Sequence, residues 1–263
     1  MNTPPPRFFT LPDRVKLKKL NNRLGSSGLV LAGSELKNVR EGVVLDSFED
    51  DLRKENAILI QTGETLTLIP GNADLIRSNC LRGEFRFPDT LAEGPMRTLL
   101  ENLVPLRAVL PKGEVLVTTD TLRLLDHEDT TCCHVDYVTL KNDNGTWSWL
   151  KTRPMKGYED SYLVLAELLA DMAAETSALS DALKLPVSGY VAKPKISLNP
   201  DDPAKKSLCT IVSTFIGVAR QNEAGIIADH DTEFLHDYRV SLRKVRSVLS
   251  LFKGVFDKAT HAR

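Results

Sequence analysis

His236, Arg239, Arg243 and Arg246 follow one another at spacings of 3, 4 and 3 residues near the end of the chain. On a helix turning about 100° per residue they fall within an arc of roughly 80°, so four potential cations stand in one row. Such a row makes and breaks no bonds; its chemistry is to hold an extended anion. Arginine presents a planar fork that makes bidentate, charge-assisted bonds to phosphate oxygens, whereas lysine acts as a point charge. Histidine can donate to the same oxygens whether neutral or cationic. The nearby acids are Glu233 and Asp237, and no glutamate stands four residues from any arginine to form the usual surface pair. Segment 232–263 holds seven Lys/Arg against three Asp/Glu, with two of the five histidines, in a 263-residue chain of net charge −1. The excess is local, and it points to a polyanion.

The row needs a helix, and the helix needs a side that packs. Phe234, Leu235, Tyr238, Leu242, Val245, Leu249 and Phe252 share the neighbouring arc and supply an apolar stripe. Asp229 or Asp231 can cap the start of this helix. A second helix is expected over 204–226, with Pro203 just inside its start, Asp201 or Asp202 nearby and Gly225 relaxing its end. The result is a helical hairpin over 204–263. Its core is small, so the expectation is either that the chain is a piece of a longer protein or that the hairpin packs on the rest of the chain or on another copy of itself.

Before the hairpin, four prolines and a glycine within 186–203 mark a partly extended linker. Residues 1–185 read as a domain of their own. Pro4-Pro5-Pro6 makes a stiff lead, and the basic run from Arg14 to Arg23 reads as an exposed helix. From Gly28 the period changes to two. Strands are expected at 29–31, 43–45, 57–60 and 66–69, then at 81–87, 115–119, 121–126, 132–140 and 146–152. Asn144-Gly145 has the chemistry of a hairpin turn that tolerates positive φ. Asp46–Lys54 suits one or two helical turns, and longer helices are expected over 90–103 and 158–183. Sequential strands argue for an antiparallel meander able to close into a barrel, with Trp147 and Trp149 in its core. The fold class is therefore α+β: an antiparallel, barrel-like or tunnel-like N-terminal domain with flanking helices, then a helical hairpin that forms part of a bundle.

Composition bounds the rest. The chain is 42% hydrophobic and 26% charged, as expected of a soluble globular protein. No run of 18 apolar residues occurs and the N-terminus lacks signal-peptide order, which predicts a cytoplasmic protein without a membrane partner. Cys80, Cys132, Cys133 and Cys209 form no metal-binding spacing and read as reduced, mostly buried thiols, the adjacent pair 132 and 133 facing opposite sides of a strand. His127 and His134 read as structural. No phosphate-cradling glycine loop, dinucleotide fingerprint or nucleophile elbow occurs. No cofactor is implied.

Two stretches resemble known families. The pattern His236-x-x-Arg239-Val240-x-x-Arg243-Lys244-x-Arg246-Ser247, followed by a Leu/Phe-rich run, resembles the opening signature of the CHAD domain, the conserved histidine alpha-helical domain. Asn222-Glu223-Ala224-Gly225 resembles the end of that family's first helix. The resemblance covers about 204–258 and implies inorganic polyphosphate as the partner, with His236, Arg239, Arg243, Lys244 and Arg246 as the binding residues and polyphosphate granules as a cytoplasmic address. Upstream, Val44-Leu-Asp46-Ser-Phe48 through Leu59, Leu122–Asp129 and Arg153–Tyr158 resemble CYTH-like domains, which are triphosphate tunnels. That resemblance implies an alternative activity, metal-dependent hydrolysis of triphosphate. CYTH enzymes hold their metal through a Glu-x-Glu-x-Lys strand; this chain has no Glu-x-Glu, and Phe8-Phe9-Thr10-Leu11-Pro12 lies where that strand belongs. Arg82, Glu84 and Arg86 would share a strand face, most simply the wet side of a sheet. Nucleic acid is the weaker polyanion, because aromatic residues do not interleave with the arginines as a stacking platform needs.

Overall fold

A computed structural model describes residues 7–11, 17–33, 38–70, 75–80, 83, 85–173 and 178–255. The proline lead, Arg82 and Glu84 lie outside the described residues. Two compact units are present: Met1–Val104 with Val109–Val187, and Pro105–Ala108 with Ser188–Arg263.

The first unit is built on an antiparallel sheet. Its elements are β1 (Arg7–Leu11), α1 (Leu17–Leu24), β2 (Val30–Gly33), β3 (Asn38–Ser47), α2 (Asp51–Lys54), β4 (Ile58–Thr62), β5 (Thr65–Ile69), β6 (Ile76–Asn79), α3 (Pro95–Leu103), β7 (Val109–Leu125), β8 (Thr131–Lys141), β9 (Thr146–Pro154), α4 (Glu159–Met172) and α5 (Ala178–Ala182). The strand order β1-β9-β8-β7-β3-β4-β5-β6 curls into a half-barrel, and β2 pairs beside β3 on the long β7. Stretches 115–119 and 121–126 are thus one strand, long enough for its N-terminal part to pair with β3 and its C-terminal end with β2.

Both faces of this sheet are dry in its middle. In β4, Ile58 and Ile60 enter one apolar cluster with Trp147 and Trp149, while Leu59 enters another with Leu52, Leu68 and Leu100. A strand buried on both sides reads as a continuous apolar run, which Ala57-Ile-Leu-Ile60 is. A third cluster joins α1 and α4 to β8 and β9 through Leu20, Leu24, Val135, Leu150, Tyr162 and Leu165. One straight helix over 158–183 cannot serve two clusters. The chain therefore ends α4 at Met172, and α5 turns Leu179 into the tryptophan cluster.

Other expectations shift for identifiable reasons. The strand after β5 is Ile76–Asn79, paired with β5, and residues 85–87 are not strand. Gly145 does not take positive φ. Asn142 shapes that turn instead, its side-chain oxygen accepting from the Asn144 and Gly145 N–H groups at 3.0 Å each. Glycine is needed there because a Cβ would collide with the Ala182 carbonyl oxygen. Cys132 and Cys133 both enter the cluster with Leu124, because a register shift between Leu124 and Leu125 leaves Cys132 without a partner opposite and bends the strand. Burial there pushes the Cys133 thiol up to about 11. Asp46 caps α2, accepting from the N–H of Leu52 at 2.8 Å and of Arg53 at 3.0 Å. Burial raises its carboxyl even against those bonds. Among the described residues, no helix is long and apolar enough to cross a membrane.

Candidate functional site

The second unit is a hairpin of α6 (Ala204–Ile227) and α7 (Thr232–Leu251). Helix α6 continues past Gly225, which is buried inside it. The glycine serves close packing: a Cβ there would collide with the Phe234 ring. Asp229, at φ 50, takes the left-handed turn that leaves α6. Asp231 is the cap of α7, accepting from the N–H of Glu233 at 2.9 Å and of Phe234 at 3.2 Å.

Three chain segments meet behind that cap. Arg107, only 5% exposed, donates to Asp231 at 3.4 Å and to Asp237 at 2.7 Å, and its guanidinium lies 4.8 Å from the Phe234 ring centre. The Ala108 N–H donates to Asp231 at 2.9 Å. The Tyr190 hydroxyl donates to Asp237 at 2.8 Å and accepts from Asn222 at 3.0 Å. The network gives the row its electrostatics, because Asp237 is spent on the inner side of α7. Nothing in the local sequence pairs Arg107 or Tyr190 with Asp237; only the fold brings them together.

The network also sets a pH limit. Burial, reinforced by Asp237, pushes the Tyr190 hydroxyl up to about 12 against the pull of Asn222 and Arg107. A raised pKa means that the folded state holds the proton more tightly than the unfolded chain, where tyrosine titrates near 10. This stabilisation is complete below pH ~10 and is lost as the pH rises towards 12. Helical circular dichroism should therefore decline across that window, in step with tyrosinate absorbance, and Tyr190→Phe should flatten the decline.

On the opposite face of α7 stand the predicted cations. Phe234 and Ser241 are the buried residues of this helix; His236, Arg239, Arg243 and Arg246 lie roughly half a turn away and are all exposed. None of the four pairs with a carboxylate among the described residues. Lys244 is placed differently: it is half-buried, with its ammonium 4.6 Å from the Phe215 ring centre on α6. The apolar stripe is also used differently from expectation, since Phe234 is its one buried member.

Residues 210–263 match the CHAD domain. This segment contains most of α6, the whole of α7 and all five residues singled out above. A comparison with curated proteins gives no match. Among solved structures, the chain is similar to HpAC1 from Hippeastrum, described as an adenylyl cyclase candidate with a dominant triphosphatase activity (9% identity, TM-score 0.39, covering 64% of this chain and 86% of that one). It is also similar to a candidate adenylate cyclase from Bacillus halodurans (12%, 0.37, 64% and 88%) and to the PH1819 protein from Pyrococcus horikoshii OT3 (10%, 0.31, 65% and 92%).

The first unit has a cavity of about 810 Å³ over the middle of β3 and β7, beside the β4–β5 and β8–β9 turns, lined among the described residues by Glu41, Gln61, Glu64, Glu114, Lys141 and Asp143 with neighbouring glycine, apolar and amide groups. Four carboxylates stand against one lysine among the described lining residues. Among the described residues, the uncompensated positive surface picked out by the sequence is the one on α7.

Proposed function

We propose that this protein binds inorganic polyphosphate, without catalysis, along the outward face of the CHAD segment. The observation that carries the proposal is that His236, Arg239, Arg243 and Arg246 stand exposed in one row while Asp237 is held on the far side of the helix by Arg107 and Tyr190. The row spans eleven residues, roughly 15 Å of helix, so several consecutive phosphates can lie against it. Each arginine fork can take two oxygens, and His236 extends the line by one donor. With that ligand, the proposed place of action is the cytoplasm, at polyphosphate granules.

Counterions leave a linear polyanion when a protein neutralises it, so affinity should fall steeply with added salt. Arg239→Ala combined with Arg243→Ala removes two contacts. The slope of log affinity against log salt should become shallower by about two, and binding at low salt should weaken by at least tenfold. Both side chains are exposed, so helical circular dichroism should not change. A salt-controlled titration with long-chain polyphosphate that gives the parental affinity and slope rejects the site.

A further inference from the structure

Two contacts pin α7 to α6, and they are spaced alike on both helices. Gly225 on α6 meets the Phe234 ring on α7, and Phe215 on α6 faces the Lys244 ammonium, which lies 4.6 Å from the ring centre. The two contacts lie ten residues apart along each helix, roughly 15 Å, as antiparallel helices in a fixed register require. One contact sets how closely two helices approach; a second, a few turns away, sets how the far half of α7 is rolled about its own axis. The first contact is backed by Arg107 and by the bonds that Arg107 and Tyr190 make to Asp237. His236 and Arg239 stand beside this first contact, and Arg243 and Arg246 beside the second.

Lys244 belongs to the sequence motif, yet it stands about 80° round the helix from His236, the near edge of the row. It is half-buried, and no carboxylate pairs with it among the described residues. A cation within about 6 Å of a ring face is drawn to the electrons of that face, more strongly where water is partly excluded. The lysine stem can pack along the helix while its head reaches the ring. We infer that Lys244 is a positioning residue that acts through Phe215, and not a phosphate ligand, a role that rests on polyphosphate being what the row binds. The ammonium over Phe215 fixes the roll of the second half of α7, and with it the direction in which Arg243 and Arg246 project. Leaving the ring for a phosphate would release the half of the helix that carries two of the three arginines. The site then consists of four side chains on one face, with the fifth motif residue holding that face in place.

The test measures the polyphosphate affinity of the full chain at one low salt concentration, at a temperature where helical circular dichroism matches the parental protein. Lys244→Met keeps the stem without the charge, and Phe215→Leu keeps an apolar side chain without the ring. Each should weaken binding by about fivefold, and the two together by no more than either alone, because both remove one contact. Lys244→Arg, which keeps a cation over the ring, should retain the parental affinity. Arg246→Ala should cost less in the Lys244→Met protein than in the parental one, whereas Arg239→Ala should cost the same in both; a side chain that served folding alone would not tell the two arginines apart. A ligand lysine would be freed by Phe215→Leu, so affinity at or above the parental value in that variant overturns the inference. A Lys244→Met loss that persists in full in the Phe215→Leu background, or an equal cost of Arg246→Ala in both backgrounds, overturns it as well. A parental chain that ignores polyphosphate rejects the proposed ligand instead. The clamp is then read in urea, where the two changes should lower the helical midpoint no further together than apart, and additive shifts reject it.

Discussion

Arg107→Ala should unfold the α6–α7 hairpin while the sheet domain keeps its core. The guanidinium is 5% exposed, and its partners Asp231 and Asp237 have side chains 2% and 17% exposed. Truncating one member of a buried ion pair costs about 3–5 kcal/mol, because the remaining charge has no solvent to turn to. Asp231 is protected, since the N–H groups of Ala108, Glu233 and Phe234 still bind it. Asp237 is not, because among the described residues the Tyr190 hydroxyl is its one other hydrogen-bond donor. A two-helix unit has little stability to lose, so several kcal/mol exceed it. Two signals separate the units: Trp147 and Trp149 both lie in the sheet core and report on it by fluorescence, while α6 and α7 supply about half of the helical circular dichroism, a component that carries no tryptophan and whose loss is the helical transition. In urea, the helical transition should vanish or fall by more than about 1 M while the tryptophan transition persists. Arg107→Met combined with Asp237→Asn removes both charges and leaves an acceptor for Tyr190, so it should recover much of the loss. A single variant whose helical transition overlays the parental curve would mean that the ion pair does not hold the unit together.

The sequence was most legible where a single periodicity governs. The 3-4-3 arginine row and the α6–α7 hairpin follow from helical spacing, and β3, β4, β5, β8 and β9 follow from period-two runs between turn residues. What stayed hidden is decided by contacts distant in sequence. Gly225 reads as a helix end, yet Phe234, nine positions on, makes it an interior residue. Gly145 reads as a positive-φ turn, yet the Ala182 carbonyl explains it. Lys244 belongs to the motif, but Phe215 draws it off the row. The most consequential case is Arg107, which lies between α3 and β7 of the first unit and yet belongs to the second. No window of local sequence contains that pairing, so the sequence suggested Asp237 as a neighbour of the cations while the fold turns it inward.

Gly225→Ala tests the packing that presents the row, and its sign is informative because two effects oppose each other. Inside a helix, alanine is favoured over glycine by up to about 1 kcal/mol, so propensity alone predicts a more stable α6. Packing predicts the reverse, since the new methyl would occupy the space of the Phe234 ring. The ring has little room to yield: Arg107 lies 4.8 Å from its centre and His230 6.0 Å away, and Phe234 is 1% exposed. Overpacking of a tight contact costs about 1–3 kcal/mol and more where backbones must separate, which outweighs the propensity gain. Gly225→Ala should therefore destabilise the helical transition by up to about 2 kcal/mol net, and polyphosphate binding should weaken with the loss of α7 helix. Combining it with Phe234→Leu should cost less than the sum of the two single changes, the mark of residues in direct contact. A helical transition moved upward would show that α6 and α7 are not this close. The contrast with the arginine substitutions separates scaffold from site: loss of Arg239 and Arg243 should weaken binding with the helix intact, whereas the extra methyl at Gly225 should lower both together.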